Sequence, residues 1–195
     1  MKALLLLCLL GSPVASGAED HPAPAADTSL QQASLYALDG TWTNQSGTKL
    51  AWKESAGTTR IVALGYATCK GVCPRIIGDM QRIEKELDAA EKTRCRFTFI
   101  SLDPANDKVP QLKALGERHK VNLAHWDLLT GDQESVLELA VALGVRYDRL
   151  PNGVDFAHSY LIAVIGPDGR LLHKWTEPAE GPGPSVLVVK KALGK

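Results

Sequence analysis

One stretch limits the possible folds more than any other. Residues 59–66 (Thr-Arg-Ile-Val-Ala-Leu-Gly-Tyr) form a short, mostly apolar run, the pattern of a buried strand. Cys69 and Cys73 follow at once. Val72, Ile76, Met80, Ile83 and Leu87 then recur at intervals of three and four, which is one face of a helix. Pro74 stands where a first helical turn accepts proline, because the missing N–H would have no partner there. A strand thus runs through a cysteine pair directly into a long helix.

The alternation continues. Residues 94–102 read as a second buried strand, ended by Asp103-Pro104, and 108–119 as a helix. Residues 126–130 read as a short strand. Residues 133–143 read as a helix with Val136, Leu139, Ala140 and Leu143 on its apolar side and Gly144 as its C-terminal stop. Residues 156–165 and 171–175 are expected as two strands joined at the turn Gly166-Pro-Asp-Gly169. A last helix is expected over 185–193. Ahead of the first core strand, residues 34–53 carry Trp42, Trp52 and the turn pairs Asp39-Gly40 and Ser46-Gly47, the pattern of a hairpin. Strand–helix alternation closed by an antiparallel hairpin predicts an α/β domain with a central mixed sheet flanked by helices. With the cysteines at the end of the first core strand, this is a thioredoxin-like arrangement with an N-terminal β-hairpin extension.

The ends of the chain set the compartment. Lys2 precedes an apolar run over 3–10, far shorter than the roughly 20 residues a membrane span takes. Ser16-Gly17-Ala18 suits signal peptidase, so 1–18 read as a cleaved signal, 19–33 as a flexible leader and 34–195 as the folded domain. The mature chain is expected to be exported, soluble and periplasmic, where disulfides persist. Cleavage removes Cys8 and leaves Cys69, Cys73 and Cys95, an odd number. Lys+Arg and Asp+Glu balance at 22 each, which argues against a nucleic-acid partner.

A loop from strand into helix places Cys73 near the helix N-terminus, where partial positive charge favours a thiolate, and Lys70 and Arg75 add to it, which readies one or both sulfurs for reaction or metal binding near neutral pH. Such a pair is a metal site, a redox pair or a plain structural disulfide. Closing so short a loop stabilises little, which weighs against the last. Two thiolates on one ion select soft metals such as Cu(I) or Zn(II). An iron–sulfur cluster or structural zinc site wants four ligands, whereas copper manages with three. His158 stands at the start of a strand expected beside the one that ends at the cysteines, so its imidazole would complete a two-sulfur, one-nitrogen set.

Tyr66-x-x-Cys69-x-x-x-Cys73-Pro74, then Ser101-Leu-Asp103-Pro104-x-x-Asp107, then His158-Ser followed by Leu-Ile-Ala-Val-Ile-Gly166-Pro-Asp-Gly169, resemble in this order the Sco (SenC) copper proteins. The resemblance covers about residues 35–191. It implies a thioredoxin-like fold and copper held by Cys69, Cys73 and His158. It also implies a role in assembling the dinuclear copper centre of cytochrome c oxidase, by copper delivery or by thiol reduction. The implied partners are a copper-enzyme client, such as a cytochrome c oxidase subunit, and other copper or thiol carriers. This chain departs from the family in having Lys70-Gly71 where Pro-Asp is common between the cysteines, and Ala157 where Asp often precedes the histidine. A cleavable signal also stands where a membrane anchor is common.

Other readings remain beside these. Cys69 and Cys73 would also serve a thiol–disulfide oxidoreductase, although that class has a two-residue spacer, or more distantly a peroxidase. Asp103 and Asp107 either orient the site or, more simply, stop the strand and cap the next helix. Cys95 alternates with Phe97 and Phe99 and reads as a small buried hydrophobe, with a resolving thiol or an intermolecular partner as the alternative. After cleavage, Glu19-Asp20-His21 would present an amine, amides and the His21 imidazole as a square-planar Cu(II) site.

Overall fold

The structure is a computed structural model that describes residues 33–153 and 155–194. The expected signal, Cys8, His21 and the leader up to residue 32 lie outside the described residues. The main sheet has the strands β1 (Thr41–Asn44), β2 (Lys49–Ala51), β3 (Thr59–Gly65), β4 (Cys95–Ser101), β5 (Trp126–Thr130), β8 (Ile162–Ile165) and β9 (Leu171–Trp175). Their spatial order is β2-β1-β5-β4-β3-β8-β9. The central β3, β4 and β5 are parallel, and the flanking strands run antiparallel, so the sheet is mixed as expected.

β3 is buried along its whole length because both its faces are covered. Ile61 and Ala63 pack on one side with Ile76, Ile77, Met80 and Ile83 of α1 (Val72–Lys85), Leu112 and Leu115 of α3 (Val109–His119), and Val186 and Val189 of α5 (Gly183–Ala192). Val62 and Leu64 face the other layer, with Val136, Leu139, Ala140 and Leu143 of α4 (Gln133–Leu143) and with Tyr36, Trp42 and Trp52. Gly144 ends α4 at φ 71°, a left-handed position that suits glycine.

Three features differ from expectation. The single strand expected over 156–165 is broken. β7 (Phe156–His158) pairs with β6 (Tyr147–Arg149) in a separate two-stranded sheet, and only β8 joins β3. Residues 159–161 are irregular between the two: the Ser159 N–H bonds to the Arg146 carbonyl beside β6, while the Tyr160 hydroxyl donates to Asp79 on α1. The short helix α2 (Ala89–Thr93) was not anticipated. Its signal was present in Asp88-Ala-Ala-Glu91, where each end accepts the other's backbone N–H. Finally, α3 is capped at Lys108 and Asp107 does not cap it; that carboxylate is turned inward.

Candidate metal centre

β3 ends at Gly65 and the chain turns through 66–71 into α1. The Cys69 N–H donates to the Tyr66 carbonyl at 3.2 Å, which closes the turn. Cys73 lies in the first turn of the helix and is 1% exposed, whereas Cys69 is half-buried in the wall of a cleft of about 610 Å³. Neither sulfur is in a disulfide.

The two thiols differ chemically. Burial raises the Cys69 pKa, but hydrogen bonds from the Cys73 backbone and thiol and the Gly71 backbone outweigh it and leave the thiol below its ordinary value. Burial pushes the Cys73 thiol up, and the neighbouring Cys69 adds to this. The helix N-terminus therefore favours Cys69 as the thiolate more than Cys73. Arg75 is held by Asp79 at 3.5 Å and by the Pro178 carbonyl at 3.2 Å, so its charge is drawn along the helix.

His158 arrives on β7. Alternation puts Phe156 and His158 on the inner face and leaves Ala157 exposed, opposite Asp148 of β6. The His158 Nε2 lies 3.3 Å from the Cys73 sulfur, and its Nδ1 lies 3.1 Å from the Ser159 carbonyl oxygen. A carbonyl only accepts, so Nδ1 carries the proton and the Nε2 lone pair faces the sulfurs. Burial lowers the His158 pKa, which favours the neutral ring. The ligand atoms of Cys69, Cys73 and His158 all lie within 4.8 Å of one another. Two sulfurs and a deprotonated imidazole nitrogen form a donor set that fits a soft metal ion.

Around this set, the Tyr66 ring packs 5.2 Å from Phe156 and edge-on to His158 at 6.1 Å between centroids. The Tyr66 hydroxyl donates to Asp155 at 3.2 Å. Asp107, 1% exposed, accepts the Ala67 N–H at 2.7 Å and the Ser101 hydroxyl at 2.6 Å. Asp103 accepts Arg149 Nη2 at 3.0 Å, and the Arg149 guanidinium covers the Phe156 ring at 4.4 Å. The two aspartates therefore reach the site through the cysteine loop and the histidine hairpin respectively. Ser101, Arg149 and Asp155 were not anticipated as contributors, nor was Arg118, which donates to the Ala67 carbonyl of the cysteine loop. Each acts across 46 residues or more of chain except Ser101, so sequence spacing carried no signal for them.

Cys95 begins β4, opposite Thr59 in register, while the site lies beyond Gly65 at the far end of the same strand pair. It is buried in the core, and burial pushes its thiol up to about 12. It is a packed hydrophobe and lies a whole strand away from the other sulfurs.

Comparison with known proteins agrees with this geometry. The sequence matches the SCO1/SenC family over residues 29–192. It is 28% identical to the SCO1 protein homolog of Bacillus subtilis over 149 residues, spanning 75% of this chain and 77% of that protein. The fold matches BsSco, described as having a disulfide switch and as a member of the Sco family of cytochrome c oxidase assembly proteins. That match has a TM-score of 0.69 and 26% identity, covering 80% of this chain and 92% of that one. It also matches Bradyrhizobium japonicum ScoI with copper bound, with a TM-score of 0.68 and 20% identity, covering 80% and 98%. With the cysteine pair, the mixed sheet and a family match over most of its length, the chain belongs to the SCO1/SenC family.

Proposed function

We propose that this protein is an exported copper metallochaperone that holds one copper ion through Cys69, Cys73 and His158 and helps assemble a copper centre in a client enzyme. The observation that carries this is the set of three ligand atoms within 4.8 Å, with the imidazole nitrogen already free of its proton. The copper-bound ScoI of Bradyrhizobium japonicum supports the choice of metal, and the description of BsSco supports cytochrome c oxidase, with its dinuclear copper site, as the client. Export with cleavage near residue 18 is supported by Lys2, the short apolar run over 3–10 and Ser16-Gly17-Ala18; no helix among the described residues is long and apolar enough to cross a membrane.

The ion would be Cu(I) in a thiolate–thiolate–imidazole environment, or Cu(II) after oxidation. The protein's own residues hold the site ready. The Ser159 carbonyl fixes the His158 tautomer, and the start of α1 donates to Cys69. Metal binding needs both sulfurs reduced. Reduced protein should bind one copper per chain, measured by metal analysis after desalting. His158→Ala should weaken binding by at least about 10-fold in chelator competition. Wild-type affinity in that variant would remove His158 from the site.

The asymmetry of the thiols favours one alternative, a thiol–disulfide oxidoreductase. The Cys69 thiolate would attack a client disulfide, displacing one client thiolate and forming a mixed disulfide. Cys73 would then attack the Cys69 sulfur, releasing the second client thiol and leaving a Cys69–Cys73 disulfide, a two-electron transfer. A reduced protein that binds no copper but reduces a disulfide client efficiently would favour this reading.

A further inference from the structure

Ala67, two residues before Cys69, is gripped from both sides. Its N–H donates to Asp107 Oδ2 at 2.7 Å, and its carbonyl accepts from Arg118 Nη2 at 2.5 Å. The Asp107 carboxylate is fixed in turn by the Ser101 hydroxyl at the end of β4, and Ser101 Oγ accepts the Asp103 N–H at 3.0 Å. Asp107 is buried, so a charged group has been taken out of water to hold a backbone amide. Arg118 reaches across from the last turn of α3 to the same residue.

Peptide planarity connects this clamp to the sulfur. The Ala67 N–H and the Tyr66 carbonyl belong to one plane and point in opposite directions. With the N–H held by Asp107, the Tyr66 carbonyl faces the other way, where it accepts the Cys69 N–H at 3.2 Å. Arg118 fixes the next plane through the Ala67 carbonyl. Two successive peptide planes ahead of Cys69 are therefore set by β4, α3 and the loop between them. No hydrogen bond joins either side chain to a sulfur among the described residues.

We propose that Asp107 and Arg118 are positioning residues, which act through the Ala67 backbone to hold Cys69 over the buried Cys73 and so set the spacing of the two sulfurs. Losing one clamp lets the turn open, which exposes Cys73 and loosens the ligand set. Only the affinity arm of the test rests on the copper reading.

The test uses full-length reduced protein with Arg118→Ala, Arg118→Lys and Asp107→Asn, each checked for folding by thermal unfolding. In metal-free protein, alkylation of Cys69 and Cys73 by iodoacetamide is followed by mass spectrometry. Wild type should label Cys69 faster than Cys73. Arg118→Ala should narrow that ratio at least about 10-fold, the population change expected when a turn loses one charge-assisted hydrogen bond. Arg118→Lys should restore most of it, and Asp107→Asn, which keeps an oxygen for the Ala67 N–H, should lie between. Copper affinity by chelator competition should fall about 10-fold in Arg118→Ala. A folded Arg118→Ala with the wild-type labelling ratio and affinity would overturn the proposal. If wild type binds no copper, the copper reading fails, and the labelling ratio still decides whether the clamp acts on the cysteine loop.

Discussion

Cys69 and Cys73 are four positions apart, yet the fold makes them different reagents. One borders a cleft and receives hydrogen bonds from the helix start; the other lies beneath the end of β3. Gly65 decides how deep Cys73 can sit. A Cβ at Gly65 would lie 2.6 Å from the Cys73 sulfur and 2.7 Å from the Phe99 ring, both closer than packed atoms come. Both neighbours are buried, so neither can swing away freely. Gly65→Ala should therefore push Cys73 toward the cleft. Overpacking of this kind costs about 1–3 kcal/mol, which urea unfolding of the metal-free protein would measure. Cys73 should also alkylate faster, as mass spectrometry would report. An unchanged midpoint and labelling rate would mean that the strand end yields without moving the sulfur. A glycine in a strand can mark a close approach of another group, but the sequence does not say of which one.

At the scale of elements, the parallel core was readable because its strands are mostly apolar runs and its helices keep one apolar stripe. β5, α4 and β9 have the bounds that periodicity predicts. The hairpin β6–β7 was not readable. Tyr147-Asp-Arg149 is three residues long and only partly apolar, so it gives no period to detect, and its partner β7 merged with β8 into one apolar run. The candidate ligands were legible because sulfur and imidazole announce their chemistry. Their supports were not, since Arg118 and Arg149 look like any surface arginine until tertiary structure gives each an acceptor. This hairpin carries His158, and Arg149 moors it to the rest of the domain through Asp103 at 3.0 Å. Arg149→Ala should leave global stability within about 1 kcal/mol of wild type, because Arg149 is half exposed and the buried Asp103 keeps its hydrogen bond from Asn106. Hydrogen exchange across Tyr147–Arg149 and Phe156–His158 should nonetheless quicken, and copper should leave faster in competition kinetics. Unchanged exchange in the hairpin would show that its ring contacts alone hold it.

Across the whole molecule, the parallel strands separate two jobs. Their C-terminal ends, with the loops after β3 and β4, hold the sulfur site. Their second residues, Arg60, Arg96 and Asp127, meet near the opposite end. Arg60 and Arg96 are register partners on β3 and β4, so two like charges stand side by side, Arg60 buried and Arg96 partly exposed. Asp127 on β5 answers both, taking Arg60 Nη1 at 2.9 Å and Arg96 Nη2 at 2.6 Å. Arg60 also donates to Thr98 Oγ1 at 2.8 Å and lies over Trp52, 5.6 Å from the ring centroid. Burial alone would raise the Asp127 pKa, but the hydrogen bond from Arg96 and the charges of Arg96 and Arg60 outweigh it and hold the carboxyl below its usual range. A carboxyl lowered in the folded state contributes stability that is fully present above its unfolded pKa, about 3.9, and is lost as pH falls through the lower folded value. Asp127→Asn strands the two arginines and should cost about 3 kcal/mol at pH 7 by urea unfolding. That gap should shrink as pH falls below about 4, because the unfolded wild-type chain then takes up a proton that the folded carboxylate still refuses. The candidate metal site lies at the other end of the strands, so the thiol labelling ratio should stay at its wild-type value in the folded variant. A gap that holds constant down to pH 2 would mean that Asp127 stabilises the sheet by packing and not by charge.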